Sequence, residues 1–208
     1  MLNIQNCLEK LMIKRQIFVS EADFQLELAW IIKDKYPSAK VRCEYTPLFD
    51  PSMHIDILVI MDNKWVPIEL KYKTKGCVKE YKGDVYNIKN HFAKDQGCYD
   101  YLKDIQRIER VRHEMRSFEE GYAIFITNDK GYKNKPKDSC VYKAFSLSDG
   151  EIKHGLMDWA PGAGDGTKKG REKSIDLDGS YPIAWTEYSK IDNSNTGTFW
   201  CLVNQIKR

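Results

Sequence analysis

His54-Ile55-Asp56-Ile57-Leu58-Val59-Ile60, the polar break Met61-Asp62-Asn63-Lys64, and Trp65-Val66-Pro67-Ile68-Glu69-Leu70-Lys71 decide how this chain folds. Two apolar, β-branched runs around an Asp-Asn break read as a β-hairpin. Side chains two apart on a strand share a face, so Glu69 and Lys71 point one way and Val66, Ile68 and Leu70 the other. Asp56 opens the first strand, which in an antiparallel hairpin brings it beside the end of the second. Charges buried among Ile, Val and Leu are costly unless paired or bound to metal, so Asp56, Glu69 and Lys71 need a shared reason to be there. A metal-ion hydrolytic site is one; cross-strand pairing of Glu69 or Asp56 with Lys71 at an exposed sheet edge, worth little energy, is the other.

Ser20-Glu21-Ala22-Asp23-Phe24-Gln25 begins a helix upstream, with Ser20 as cap and an acid three residues later. Phe24, Leu28 and Ile31 line its apolar face. Downstream, Phe92 to Glu114 carries Leu102, Ile105, Ile108 and Val111 at helical spacing, with Gln96, Asp100, Asp104 and Arg107 on polar faces. Gly121 to Thr127 is an apolar run that reads as a buried strand ending at the Asn128-Asp129-Lys130-Gly131 turn.

An Asp entering one strand and Glu-x-Lys on the next, here Asp56, Glu69 and Lys71, resembles the core of the PD-(D/E)XK, or restriction-endonuclease-like, nuclease superfamily. The usual Pro before the Asp is replaced by Ile55. Glu21 with Gln25 resembles the helix glutamate that many members carry, with Glu27 as the competing position. The resemblance covers about residues 20–130 and implies an α/β (α+β) fold with an αβββαβ core, Lys40 to Tyr45 forming its first strand, in which helices flank a mixed central sheet. The order of Phe145 to Gly150, Gly155 to Trp159 and Tyr181 to Tyr188 is similar to that of uncharacterised bacterial proteins related to restriction enzymes.

Carboxylate oxygens suit a hard divalent cation, Mg2+ or Mn2+, completed by water and substrate phosphate. Asp56 and Glu69 are the expected ligands, and the resemblance adds the Leu70 backbone carbonyl. Lys71 is expected to orient the attacking water and stabilise developing charge. The catalytic set is thus Asp56, Glu69, Lys71 and Glu21. Lys64, Lys71, Lys73, Lys75, Lys79 and Lys82, interleaved with Tyr72, Tyr81 and Tyr86, suggest phosphate and base contacts. Lys73, Lys75 and Gln96 are the named nucleic-acid-binding candidates. DNA is the expected partner, and the resemblance allows a homodimer. The alternative function is a non-catalytic nucleic-acid-binding or assembly protein with the same fold.

At 208 residues the chain has the length of one well-cored domain, residues 1–208, with a β-rich extension over about 131–208. That extension includes strand-like runs at Val141–Leu147, Tyr181–Trp185 and Phe199–Val203 and a glycine-rich loop at 161–170, which lacks the Gly-Lys-Ser/Thr ending of a phosphate-binding loop. Trp159, Trp185, Tyr188 and Trp200 read as packing residues. There is no apolar run of about eighteen residues, hence no expected membrane span. The first fifteen residues lack a signal-peptide pattern, and the six cysteines contain no Cys-x-x-Cys pair, which suits reduced thiols in the cytoplasm. A net charge of +3 is uninformative about partners; its clustering is what matters.

Overall fold

A computed structural model describes all of residues 1–208. Helices α1 (Ile4–Lys14) and α2 (Glu21–Lys35) lead into strands β1 (Lys40–Tyr45), β2 (Ile55–Met61) and β3 (Lys64–Tyr72). A hairpin of β4 (Cys77–Tyr81) and β5 (Asp84–Ile88) precedes the long helix α3 (Lys94–Glu114) and strand β6 (Glu120–Thr127). The remainder holds β7 (Ile152–Met157), the short helix α4 (Asp165–Lys168), β8 (Ile175–Pro182), β9 (Trp185–Lys190) and β10 (Thr198–Lys207).

The result is a mixed α/β architecture around a six-stranded sheet in the order β1-β2-β3-β6-β10-β9. All neighbours in it are antiparallel except β3 and β6, which run parallel with Ile68 opposite Tyr122 and Tyr72 opposite Ile126. A parallel pair needs a crossover, and α3 supplies it. Asp62 and Asn63 make the β2–β3 turn with φ of 49° and 62°, the left-handed pair that a two-residue hairpin turn requires.

Each face of the sheet buries its own core. Ile57, Val59, Val66, Ile68, Leu70, Tyr72, Ile124 and Ile126 meet α1 and α2 on one side. On the other, Leu58, Ala123, Phe125 and Leu202 meet α3, joined by Ile175, Leu177 and Tyr181 of the β7–β8 hairpin. Gly121 lets α3 approach β6 closely, because a Cβ there would stand 2.3 Å from Ile108 Cγ2.

Several local expectations hold and some do not. Ser20 caps α2 by accepting from the Asp23 amide at 3.1 Å. The Asp23 carboxylate turns back to the Val19 amide at 3.0 Å. Trp185 and Tyr188 are buried and Trp159 stacks on Tyr99, as packing residues should. β9 and β10 extend the central sheet. Val141–Leu147, however, forms no strand: i-to-i+3 amide bonds at Lys143, Phe145 and Ser146 wind it into a 3-10 turn at Lys143–Phe145. The lysine-rich stretch after β3 is the β4–β5 hairpin, and the glycine-rich segment contains α4. All six cysteines are free, and no helix is long and apolar enough to cross a membrane.

Candidate active site

The ladder between β2 and β3 ends at Ile57 opposite Ile68. Beyond that point the amides of Leu70 and Tyr72, on the same edge of β3, have no strand partner, and buried amides must find acceptors. Carboxylates serve. Asp56 Oδ2 accepts from Leu70 N at 2.6 Å, and Glu21 Oε2 accepts from Tyr72 N at 2.7 Å. Gln25, one turn after Glu21, donates its amide to the Asp56 carbonyl at 2.7 Å and to Glu44 Oε1 at 2.6 Å. The first two turns of α2 thereby fix the splayed strand ends. Of the two glutamates the sequence left open, Glu21 reaches this place. Glu27 instead pairs with Arg15 at 2.6 Å, beside Asp23.

Glu69 and Lys71 project from the opposite face of β3 to Leu70, towards α3. There they meet Asp104 and Arg107, two residues the sequence reading placed only on polar helix faces. Lys71 Nζ lies 2.6 Å from Asp104 Oδ2 and donates to the Leu70 carbonyl at 3.1 Å. One Arg107 nitrogen donates to Glu69 Oε2 and to Asp104 Oδ1, both at 2.7 Å. Helical phase was the available signal for Asp104, which lies three residues after the buried Tyr101 and four before Ile108. The exposed-edge reading of this hairpin fails, since β3 lies inside the sheet and Glu69 is 1% exposed.

The charges do not balance. Asp56, Glu69 and Asp104 crowd Lys71 and Arg107, and Glu21 acts on Asp56, Asp104 and Lys71, so four acids share two bases. Burial pushes the Asp56 carboxyl up to about 6, with Asp104 and Glu21 adding to the rise and Lys71 and the Leu70 amide opposing it. Burial likewise raises Glu69 well above the usual carboxylate range, and Asp104 and Asp56 reinforce it against Arg107. Burial works against the Lys71 ammonium, yet Asp104, Glu21 and Asp56 together hold it above the ordinary lysine value. Lys71 therefore stays protonated at neutral pH and is a hydrogen-bond donor rather than a base.

Surplus buried carboxylate suits a hard divalent cation, and so does the Leu70 carbonyl beside it. Asp104 Oδ2 is held by the Lys71 ammonium at 2.6 Å, so the surplus lies in the number of acids rather than in an unpartnered oxygen. In the arrangement seen, no three His, Cys, Asp or Glu side chains stand together at metal-holding distance, and Arg107 and Lys71 occupy Glu69 and Asp104. The donor chemistry fits a cation, with the two bases as the counter-charges it would meet.

The remaining residues named from sequence have other partners. Lys73 follows β3 and is half-buried, and Lys75 is exposed and pairs with Asp129 at 3.1 Å. Gln96 stands apart from the carboxylates: its amide donates to the carbonyls of Gly166 and Thr167 at 3.1 and 3.2 Å. Tyr72 is no stacking platform, being buried with its hydroxyl on the Phe18 carbonyl at 2.7 Å. Lys79 is also buried, bonded to Asp192 and Ser194 at 2.7 and 2.6 Å. His54 is exposed against Thr46 and takes no part. No family model, no curated protein and no solved structure matches the chain.

Proposed function

We propose that this protein is a metal-dependent nuclease of the restriction-endonuclease-like kind that hydrolyses DNA phosphodiester bonds. The observation that carries the reading is the meeting of Asp56, Glu69 and Lys71 at the splayed end of β2 and β3 in a cluster with more acids than bases. Asp56, Glu69 and the Leu70 carbonyl would hold Mg2+ or Mn2+. That ion supplies a bound water of lowered pKa and neutralises charge at the scissile phosphate. Lys71, held protonated, donates a hydrogen bond to the water or to a phosphate oxygen and stabilises charge as it develops. Glu21 and Gln25 position the backbone that carries Asp56 and Leu70. Asp104 orients the Lys71 ammonium, and Arg107 screens Glu69 from solvent.

A second reading, a nucleic-acid-binding or assembly protein without cleavage, draws on the pairing of Glu69 and Asp104 with the protein's own cations. One experiment separates the two. Purified protein is incubated with plasmid, linear and single-stranded DNA in Mg2+, Mn2+ or EDTA, beside Glu69→Ala and Lys71→Ala. Cleavage that needs metal and is lost in both variants is expected. Equal nicking by all three proteins, or none by wild type in either metal, removes the nuclease assignment.

A further inference from the structure

A cleft of about 630 Å³ opens beside the carboxylate cluster, and Arg107 belongs to both. Its wall is the outer face of α3, where Lys103, Arg107 and Arg110 fall at i, i+4 and i+7 on one stripe. Lys173, ahead of β8, also lines the cleft. Two of the three acids lining the cleft are paired with cations, and the third, Glu172, accepts only a neutral amide. Asp50 pairs with Arg110. Asp100 holds the Arg171 guanidinium through two bonds of 2.6 and 2.7 Å. Glu172 accepts the Gly170 amide at 2.8 Å.

Lys103 and Lys173 have no ion-pair partner and outnumber the one unpaired acid, Glu172. Lys103 is half-buried, with its ammonium on Gln106 Oε1 at 2.7 Å, and the charges that bear on it are the cations Lys173, Arg107 and Arg110. Like charges gathered in a concave, partly desolvated site attract an anion strongly. The stripe from Lys103 to Arg110 rises about 10 Å at 1.5 Å per residue, which is the axial span of about three nucleotides of a duplex strand at 3.4 Å each.

We propose that this cleft binds the backbone phosphates of the polynucleotide strand flanking the scissile bond, with Lys103 and Lys173 as its two contacts free of an ion-pair partner and Arg107 at the junction with the carboxylates. The proposal rests on the nuclease reading for its biological sense, but its test does not require cleavage. Binding of fluorescent single-stranded and duplex oligonucleotides is followed by anisotropy in EDTA across a salt series. The proteins compared are wild type, Lys103→Glu/Lys173→Glu, and Lys135→Glu/Lys137→Glu, an equal charge change on exposed residues that do not line the cleft. Thermal melts confirm that each variant is folded.

The cleft variant is expected to lose at least about tenfold in affinity and to lower the slope of log affinity against log salt by nearly 2, while the loop variant stays close to wild type. Equal losses in the two double variants, or no loss in the first, overturn the proposal. Displacement of the oligonucleotide by millimolar inorganic phosphate or mononucleotide also overturns it, because the cleft would then serve a small phosphate rather than a strand. The two readings can fail separately. A selective binding loss with no cleavage in any metal leaves the cleft and removes the nuclease; metal-dependent cleavage with binding untouched in the cleft variant does the reverse.

Discussion

Helix α3 buries two acids, and they are treated in opposite ways. Glu109 is 2% exposed and receives three neutral donors: the amides of Asp178 and Gly179 at 3.1 and 2.8 Å and the Tyr181 hydroxyl at 2.6 Å. Asp104, five residues earlier and equally buried, shares Arg107 with Glu69 and meets Lys71, in a cluster with two more acids than bases. Glu109 clasps the β7–β8 hairpin to the helix, with each bond accounted for. The other cluster holds like charges together at a cost, which folding alone does not require. Burial of an acid therefore does not distinguish the two places; unrelieved crowding of acids does.

Activity gives the widest separation between the two. Glu69→Gln keeps the shape and the hydrogen bond to Arg107 but removes a charge, and is expected to cut metal-dependent cleavage by about 10²- to 10³-fold, the scale set by losing one preorganised electrostatic group. Glu109→Gln should leave cleavage per folded molecule within about threefold of wild type, since Glu109 bonds only to the hairpin. Comparable losses in both would mean that the site and the clasp are one unit.

Stability should invert the order. Glu109→Ala strands two amides and a hydroxyl in a buried place, which costs about 3 kcal/mol in urea unfolding. Glu69→Gln should be neutral or stabilising, because three acids then share two bases. A Glu69→Gln protein destabilised as much as Glu109→Ala would show that the carboxylate cluster is balanced after all. Arg107→Ala is the intermediate case. It removes one of two counter-charges from Glu69 and Asp104, but its side chain is 31% exposed, so solvent screens part of the loss. A destabilisation of about 2 kcal/mol is expected, below the figure for a fully buried pair. No loss would place the compensation of Glu69 elsewhere.

The site was legible in the sequence where a short period or a local cap carried it. The alternation of Val66 to Lys71, the Asp62-Asn63 turn and the Ser20 cap are all local, so the hairpin and the start of α2 follow from composition and spacing. Asp104 and Arg107 escaped because an acid inside a helical apolar stripe looks like an irregular polar face until the strand beneath it is known. The β4–β5 hairpin was hidden by its charges. Lys79 reads as solvated, and the Asp192 that permits its burial is 113 residues away. Val141–Leu147 has strand composition but no strand beside it to complete a ladder, so its backbone bonds close locally.

The smallest expected effect is a pH dependence, and it belongs to the carboxylate cluster. Asp56 titrates near 6 in the folded protein, above the roughly 3.9 of an unfolded aspartate. Between those values the folded state binds more protons than the unfolded state, so stability falls as pH rises through the window. An acid stabilised by its partners would give the opposite slope. Glu69 and Asp104, also raised, add to the same trend. Urea unfolding in EDTA from pH 4 to pH 7 should therefore show a component of about 1 to 2 kcal/mol that declines with pH, discounted for the partial exposure of Asp56. Asp56→Asn, which can still accept the Leu70 amide, should flatten that decline and match or exceed wild-type stability at pH 7. Glu109→Gln should leave the decline in place. If Asp56→Asn has the same slope as wild type, the crowding of carboxylates does not reach Asp56, and the cluster loses the member that joins β2 to β3.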